Sequence, residues 1–225
     1  MIQEFFFIII INVNKAMKIK KFTFNSFLEN TYIISSGKKC MIIDPGCSNK
    51  TEQHQMDDYI KLNQLEPIEL INTHCHLDHI FGNKFIAETY SLIPKMHIKD
   101  KPLLERSMDI ANMYNVKLDP PPQDVKFINE NDIIEIGKTK WKIIFTPGHS
   151  PGHICLFNEQ QKTIIAGDVL FHLSIGRTDL PLSNHKDLID SINNKLFRLS
   201  DNTEVFCGHG QNTNIGFEKI NNPYL

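Results

Sequence analysis

The chain has no apolar run able to span a bilayer: Phe5 to Ile11 is seven residues, against the roughly twenty a membrane helix needs. It has no surplus of positive charge either. Twenty-four Lys and Arg against 26 Asp and Glu give a formal charge of -2, so no field exists to hold the protein along a polyphosphate backbone. Paired cysteine spacing is also missing. Cys40, Cys47, Cys75, Cys155 and Cys207 are odd in number and contain no CxxC, which excludes a disulfide framework and fits a reducing cytoplasm. No Gly- or Pro-rich linker divides the sequence, and 41% hydrophobic with 22% charged residues over 225 positions excludes disorder and collagen. A small-molecule partner is expected, without nucleic acid or membrane, in a monomer or homodimer. What the chain has in excess is histidine, ten in all.

Residues 1–16 read as an upstream extension, and residues 17–225 as one compact domain. Glu4 before the apolar run, and Asn12, Asn14 and Lys15 after it, are the wrong flanks for a secretory signal; an extra edge strand or a weak signal sequence is the alternative. Strands are expected at Lys20–Phe24, Thr31–Ser35, Cys40–Asp44 and Glu69–Thr73, then at Trp141–Thr146, His153–Asn158, Thr163–Ala166 and Glu204–Phe206. Helices are expected at Thr51–Leu65, Phe81–Tyr90, Lys101–Tyr114 and His185–Leu199, the last capped by Ser183 or Asn184. The Pro120–Pro122 run marks an irregular loop between two halves of similar length.

The segment THCHLDH, Thr73 to His79, places three histidines and an aspartate at the end of an apparent strand. In extended chain His74 and His76 project to one face, so both imidazoles reach one ion; Asp78 and His79 fall where the chain turns into a helix and can face a second. His149 in FTPGHSPGH, Asp168 in TIIAGD and His209 in VFCGHG each follow an expected strand, so each can return to the same sheet edge. Five histidines and two aspartates suffice for two ions sharing one carboxylate. Nitrogen and oxygen donors without thiolate suit zinc, iron or manganese.

With those residues in place the sequence resembles the metallo-β-lactamase superfamily, through HxHxDH and the downstream His, Asp and His. TPGHSPGH, GDVLFHLSIGRTDLP and GHGQNTNIGFEKINNPYL resemble its glyoxalase II (hydroxyacylglutathione hydrolase) branch, in particular the short single-domain members. The resemblance implies an α+β fold, a four-layer αβ/βα sandwich with the metals at one sheet edge. It also implies a first metal on His74, His76 and His149, a second on Asp78, His79 and His209, and Asp168 bridging them. Zinc is the first expectation for the two divalent ions, with iron or manganese as alternatives. An aspartate rather than a cysteine at position 168 argues against antibiotic hydrolysis as the main activity. Larger branch members use a further helical domain to bind the glutathione carboxylates. These 225 residues contain no counterpart of it, which leaves the thiol carrier open.

The implied reaction is hydrolysis of a small thioester, S-2-hydroxyacylglutathione plus water giving a 2-hydroxy acid and a thiol, through a hydroxide between the two metals and oriented by Asp78. A thiolate, with a parent pKa of roughly 8.5, leaves without a dedicated acid. The alternatives are a mononuclear iron persulfide dioxygenase, or a lactonase or phosphodiesterase on the same scaffold. Arg177 and His172 are the weaker candidates for substrate contact, with an ion pair from Arg177 to Asp179 as the competing reading. His153 is expected on the strand behind the site, and His54, His97 and His185 as surface or capping residues. Thr73 and Asp44 are candidates for fixing an imidazole from behind, while Cys75 and Cys207 read as small buried apolar groups.

Overall fold

The computed structural model describes residues 17–225; the reading of residues 1–16 as an extension lies outside the described residues. The first half runs β1 (Lys18–Phe24), β2 (Glu29–Ser36), β3 (Lys39–Ile43), α1 (Lys50–Leu62), β4 (Glu66–Ile71), α2 (Leu77–Ile80), α3 (Asn83–Tyr90), β5 (Pro94–Met96), α4 (Lys101–Glu105), α5 (Ser107–Met113) and β6 (Lys126–Phe127). The second runs β7 (Ile133–Ile136), β8 (Thr139–Phe145), β9 (Ile154–Asn158), β10 (Thr163–Gly167), β11 (Leu170–Phe171), β12 (Ser174–Ile175), α6 (His185–Asn194), β13 (Glu204–Cys207), β14 (Thr213–Asn214) and α7 (Ile215–Asn221).

Six strands in the order β1-β2-β3-β4-β5-β6 make one sheet, and six in the order β14-β13-β10-β9-β8-β7 make the other. Side-chain alternation sorts the apolar residues into layers. Tyr32, Ile34, Met41, Ile43 and Ile71 meet Trp141, Ile143, Ile154, Leu156 and Ile165 between the sheets. The alternate residues Ile33, Cys40, Ile42 and Leu70 pack under Met56 and Ile60 of α1 and Ile86 of α3. On the far side Cys155, Ile164, Ala166 and Val205 pack under Leu188 and Ile192 of α6 and Ile215 of α7. The result is the expected four-layer sandwich, helix, sheet, sheet, helix.

Strand direction explains where the chemistry gathers. β3 and β4 run parallel, as do β10 and β13, while β9 lies antiparallel between β8 and β10. The C-terminal ends of β8, β10 and β13 therefore share one end of their sheet, and those of β3 and β4 share one end of theirs. Two ties join these ends: the Asn30 N–H donates to the Gly208 carbonyl at 2.7 Å, and the Ile154 N–H to the Thr73 carbonyl at 2.9 Å.

The expected strands are all present, but β5, β6, β7, β14 and the β11–β12 hairpin were not expected; at two to four residues they are too short to show a period. The expected helix over 101–114 breaks at Arg106 into α4 and α5. Leu103 and Leu104 pack with Cys75, Ile80 and Met96, whereas Ala111 packs with Leu77, Phe81 and Leu118. Two separate apolar targets draw the two pieces apart. The expected helix over 185–199 ends at Asn194 and continues as a short 3-10 turn. Among the described residues no helix is long and apolar enough to cross a membrane.

Candidate metal centre

The structure brings all seven expected ligands to one end of the sandwich. His74 lies three residues beyond β4, Asp78 and His79 sit in α2, His149 follows β8, and Asp168 and His209 follow β10 and β13. Within the group His74, His76 and His149 one donor atom of each lies within 4.8 Å of the others, and the same holds for Asp78, His79 and His209. Asp168 stands between the groups. Its Oδ1 is 3.4 Å from His79 Nε2, and its Oδ2 is 3.5 Å from His149 Nε2 and 3.4 Å from His209 Nε2.

The imidazoles are held from behind, which fixes the face each presents. His79 Nδ1 lies 3.1 Å from Asp44 Oδ2, His74 Nδ1 3.1 Å from Thr73 Oγ1, His149 Nδ1 2.8 Å from the Arg177 carbonyl, and His209 Nδ1 3.0 Å from the Phe27 carbonyl. In each pair Nδ1–H is the donor, so Nε2 turns a lone pair into the cage. His76 instead offers Nδ1, 2.9 Å from His149 Nε2. Asp44 also accepts the Thr73 hydroxyl at 2.6 Å and its N–H at 2.7 Å, so one carboxylate orients ligands of both groups. The expectation for Asp44 and Thr73 therefore matches their placement.

Three buried polar atoms in the cage, His74 Nε2, His79 Nε2 and Asp168 Oδ1, have no hydrogen-bond partner. Buried polar atoms are ordinarily satisfied, and lone pairs converging without a cation are unfavourable. The donor set thus fits a pair of divalent ions. The local electrostatics agree. Burial, with His79 and its other imidazole neighbours, pushes His74 far down, and burial together with His149 pushes His76 to about 3. Burial opposes charge on Asp168 too, but His79 and His209 hold it well below the usual carboxylate range.

His153 lies behind the site, as expected. It stacks on His74 with centroids 5.0 Å apart, and its Nε2 accepts the Asp168 N–H at 3.0 Å. Arg177 forms the bidentate ion pair with Asp179, both contacts 2.7 Å, and its backbone carbonyl is what positions His149. His172 is not among the residues lining the cavity; its ring stacks on Phe217 at 5.0 Å and lies 3.5 Å from Glu218, a packing role in place of the expected pocket mouth. His97 caps the turn before α4 but is buried on Phe145 rather than exposed. His54 is exposed and His185 opens α6. All five cysteines are free and buried, and burial raises the thiols of Cys75 and Cys207, the latter to about 12.

Two residues were missed by sequence reasoning. Asp100 is buried and accepts the Cys75 N–H at 2.8 Å, the Ser150 hydroxyl at 3.0 Å and the Gly152 N–H, joining the loop of His74 and His76 to that of His149. In sequence it reads only as a residue opening a helix. Glu29 is buried with Oε1 4.0 Å from His79 Nδ1 and Oε2 accepting the Thr31 hydroxyl at 2.9 Å; nothing local distinguishes it from a surface glutamate. Above the cage opens a cavity of about 490 Å³, walled by α4, α5 and the segment 174–182, with His76, Asp78, His149, Asp168 and His209 at its floor.

Residues 26–209 match the family described as the metallo-beta-lactamase superfamily. The chain belongs to that superfamily. It is 34% identical over 211 residues to probable metallo-hydrolase YqgX of Bacillus subtilis, covering 93% of this chain and 98% of that protein. The hydroxyacylglutathione hydrolase GloC of Haemophilus influenzae is likewise 34% identical, over 93% of this chain and 98% of its own. Among solved superfamily structures, the BLEG-1 B3 metallo-beta-lactamase superposes with a TM-score of 0.85 at 30% identity, over 92% of this chain and 99% of that one. TTHA1623 in a di-iron-bound form superposes with a TM-score of 0.83 at 30% identity, over 92% and 100%.

Proposed function

We propose that the protein is a binuclear metal-dependent hydrolase of small thioesters, similar in reaction to the hydroxyacylglutathione hydrolases. Superfamily membership carries the coarser statement, a metallo-hydrolase. The observation that carries the binuclear reading is the Asp168 carboxylate set between two complete groups of three donors, each oxygen within 3.5 Å of an imidazole Nε2. His74, His76 and His149 would hold one ion and Asp78, His79 and His209 the other. Zinc is the first expectation, and the di-iron form of TTHA1623 supports iron as the alternative.

Bound there, the two ions supply Lewis acidity toward a substrate carbonyl and toward a water. Asp78, 3.1 Å from His209 Nε2 and lining the cavity floor, orients that water by accepting its proton in a hydrogen bond. Leu77, Leu103 and Phe171 in the cavity wall limit access of bulk water. The scissile carbonyl sits over the floor, and the leaving sulfur departs as thiolate without a donor. The family likeness to GloC and five reduced, buried thiols support a thioester substrate and a cytoplasmic setting respectively.

The rival mononuclear iron dioxygenase needs only two histidines and the aspartate; a complete second group at Asp78, His79 and His209 favours two ions. Metal content measured together with hydrolysis of S-lactoylglutathione tests the proposal. Two transition-metal ions per chain and hydrolysis are expected, and in Asp168→Ala reduced occupancy with activity at least about a hundredfold lower. One iron with oxygen uptake on glutathione persulfide overturns it, as does faster cleavage of a β-lactam or lactone than of the thioester.

A further inference from the structure

The cavity above the cage is walled mostly by apolar side chains, and among the described residues only two Arg or Lys line it: Arg106 and Arg177. They are not equivalent. Arg177 is neutralised by Asp179 through two 2.7 Å contacts. Arg106 forms no ion pair with any carboxylate of the described residues, and its neighbour Glu105 is taken by Lys101 at 3.5 Å. Arg106 stands at the break between α4 and α5, and Leu103 of α4 and Ile110, Met113 and Tyr114 at and beyond α5 line the cavity beside it. An unpaired guanidinium at the wall of an apolar cavity is a binding feature: its fork of donors matches a carboxylate, and it costs little desolvation because Arg106 is solvent-exposed.

We propose that Arg106 is the anion-recognition residue of this cavity, so that the substrate is a thioester carrying a free carboxylate on an arm that crosses the apolar wall to α4 and α5. The inference rests on the thioester reading and narrows it: the floor binds the scissile carbonyl, the wall of Ile110, Met113 and Ile175 covers an apolar spacer, and Arg106 closes a charge-assisted pair at the far end. Arg106 is a specificity-determining residue that touches no reacting atom. The purely structural alternative, a cation set favourably at the C-terminal end of α4, predicts a change in stability and none in ligand preference.

The test is binding of two inert thioether analogues, alike except that one ends in a carboxylate and the other in a carboxamide, measured by titration calorimetry. Wild type is expected to bind the carboxylate analogue about tenfold more tightly; Arg106→Gln is expected to bind both alike, and Arg106→Lys to retain part of the preference. Equal binding by wild type overturns the proposal, as does a preference that survives in Arg106→Gln. A difference seen in Arg106→Gln only as a lowered unfolding temperature, with the preference unchanged, also overturns it. Because no bond is cleaved in this assay, loss of the carboxylate preference and failure to hydrolyse thioesters are separate results.

Discussion

Gly208 shows how little freedom the cage leaves at single positions. A Cβ there would lie 2.0 Å from Asp168 Oδ1, so any side chain displaces the carboxylate set between the two donor groups. Gly208→Ala is expected to lower metal content and to cut activity more than about tenfold while the circular dichroism of the fold is retained. Gly167 is constrained twice, by a φ of +49° and by His153 Nε2, 2.6 Å from the position of its absent Cβ. Asp100 yields a prediction in pH. Burial raises its carboxyl to about 6, against the lowering effect of the Cys75 and Gly152 N–H groups. Its folded value lies above the unfolded one, so the native state holds the extra proton between about pH 4 and 6. Stability from this group is therefore fully present below about pH 4 and lost as pH rises through 6, on the order of 2–3 kcal/mol. Urea midpoints of wild type and Asp100→Asn across that range measure it: the variant lacks this slope, although it is less stable throughout because an acceptor of Cys75 and Gly152 is lost.

At the scale of elements, α6 acts as the support of the His149 loop. The Asn184 N–H donates to the Gly148 carbonyl at 2.7 Å, the Ser183 hydroxyl to the His149 carbonyl at 2.7 Å, and the Ser191 hydroxyl to the Pro147 carbonyl at 2.7 Å. Asn184 caps the helix by accepting the Asp187 N–H, one of the two caps expected from sequence. Leu188 anchors the helix on the second sheet and is fully buried. Leu188→Ala is expected to cost about 2–5 kcal/mol, read as an unfolding temperature lower by about 10 °C, with activity reduced at temperatures where the wild type is unaffected. The helix was legible because its apolar positions recur at the right spacing behind a capping residue. The 101–114 helix was misread because its pattern is also periodic. The break at Arg106 is imposed by two apolar clusters, neither of which local sequence can show.

For the whole molecule, the cage joins loops from both sheets, so ions bound there favour the folded chain over the unfolded one. Removal of metal by a chelator is expected to lower the unfolding temperature and to abolish hydrolysis, with zinc or iron restoring both; an unchanged unfolding temperature would show that the seven side chains do not bind an ion strongly. The sequence by itself determined the ligand types, because HxHxDH at a strand end and three later His or Asp residues beyond strands leave few other uses for those groups. The four-layer plan was implied by the family resemblance of those motifs rather than by strand periodicity, and the packing of helices on the outer face of each sheet bears it out. Only the tertiary structure decided how the groups are held and what reaches them. Asp100 acts on partners 25 to 52 positions away and Glu29 on His79 50 positions away, and Arg106 lines the cavity where α4 and α5 part. Such roles depend on distances closed by folding, on which neighbouring residues in the chain carry no information.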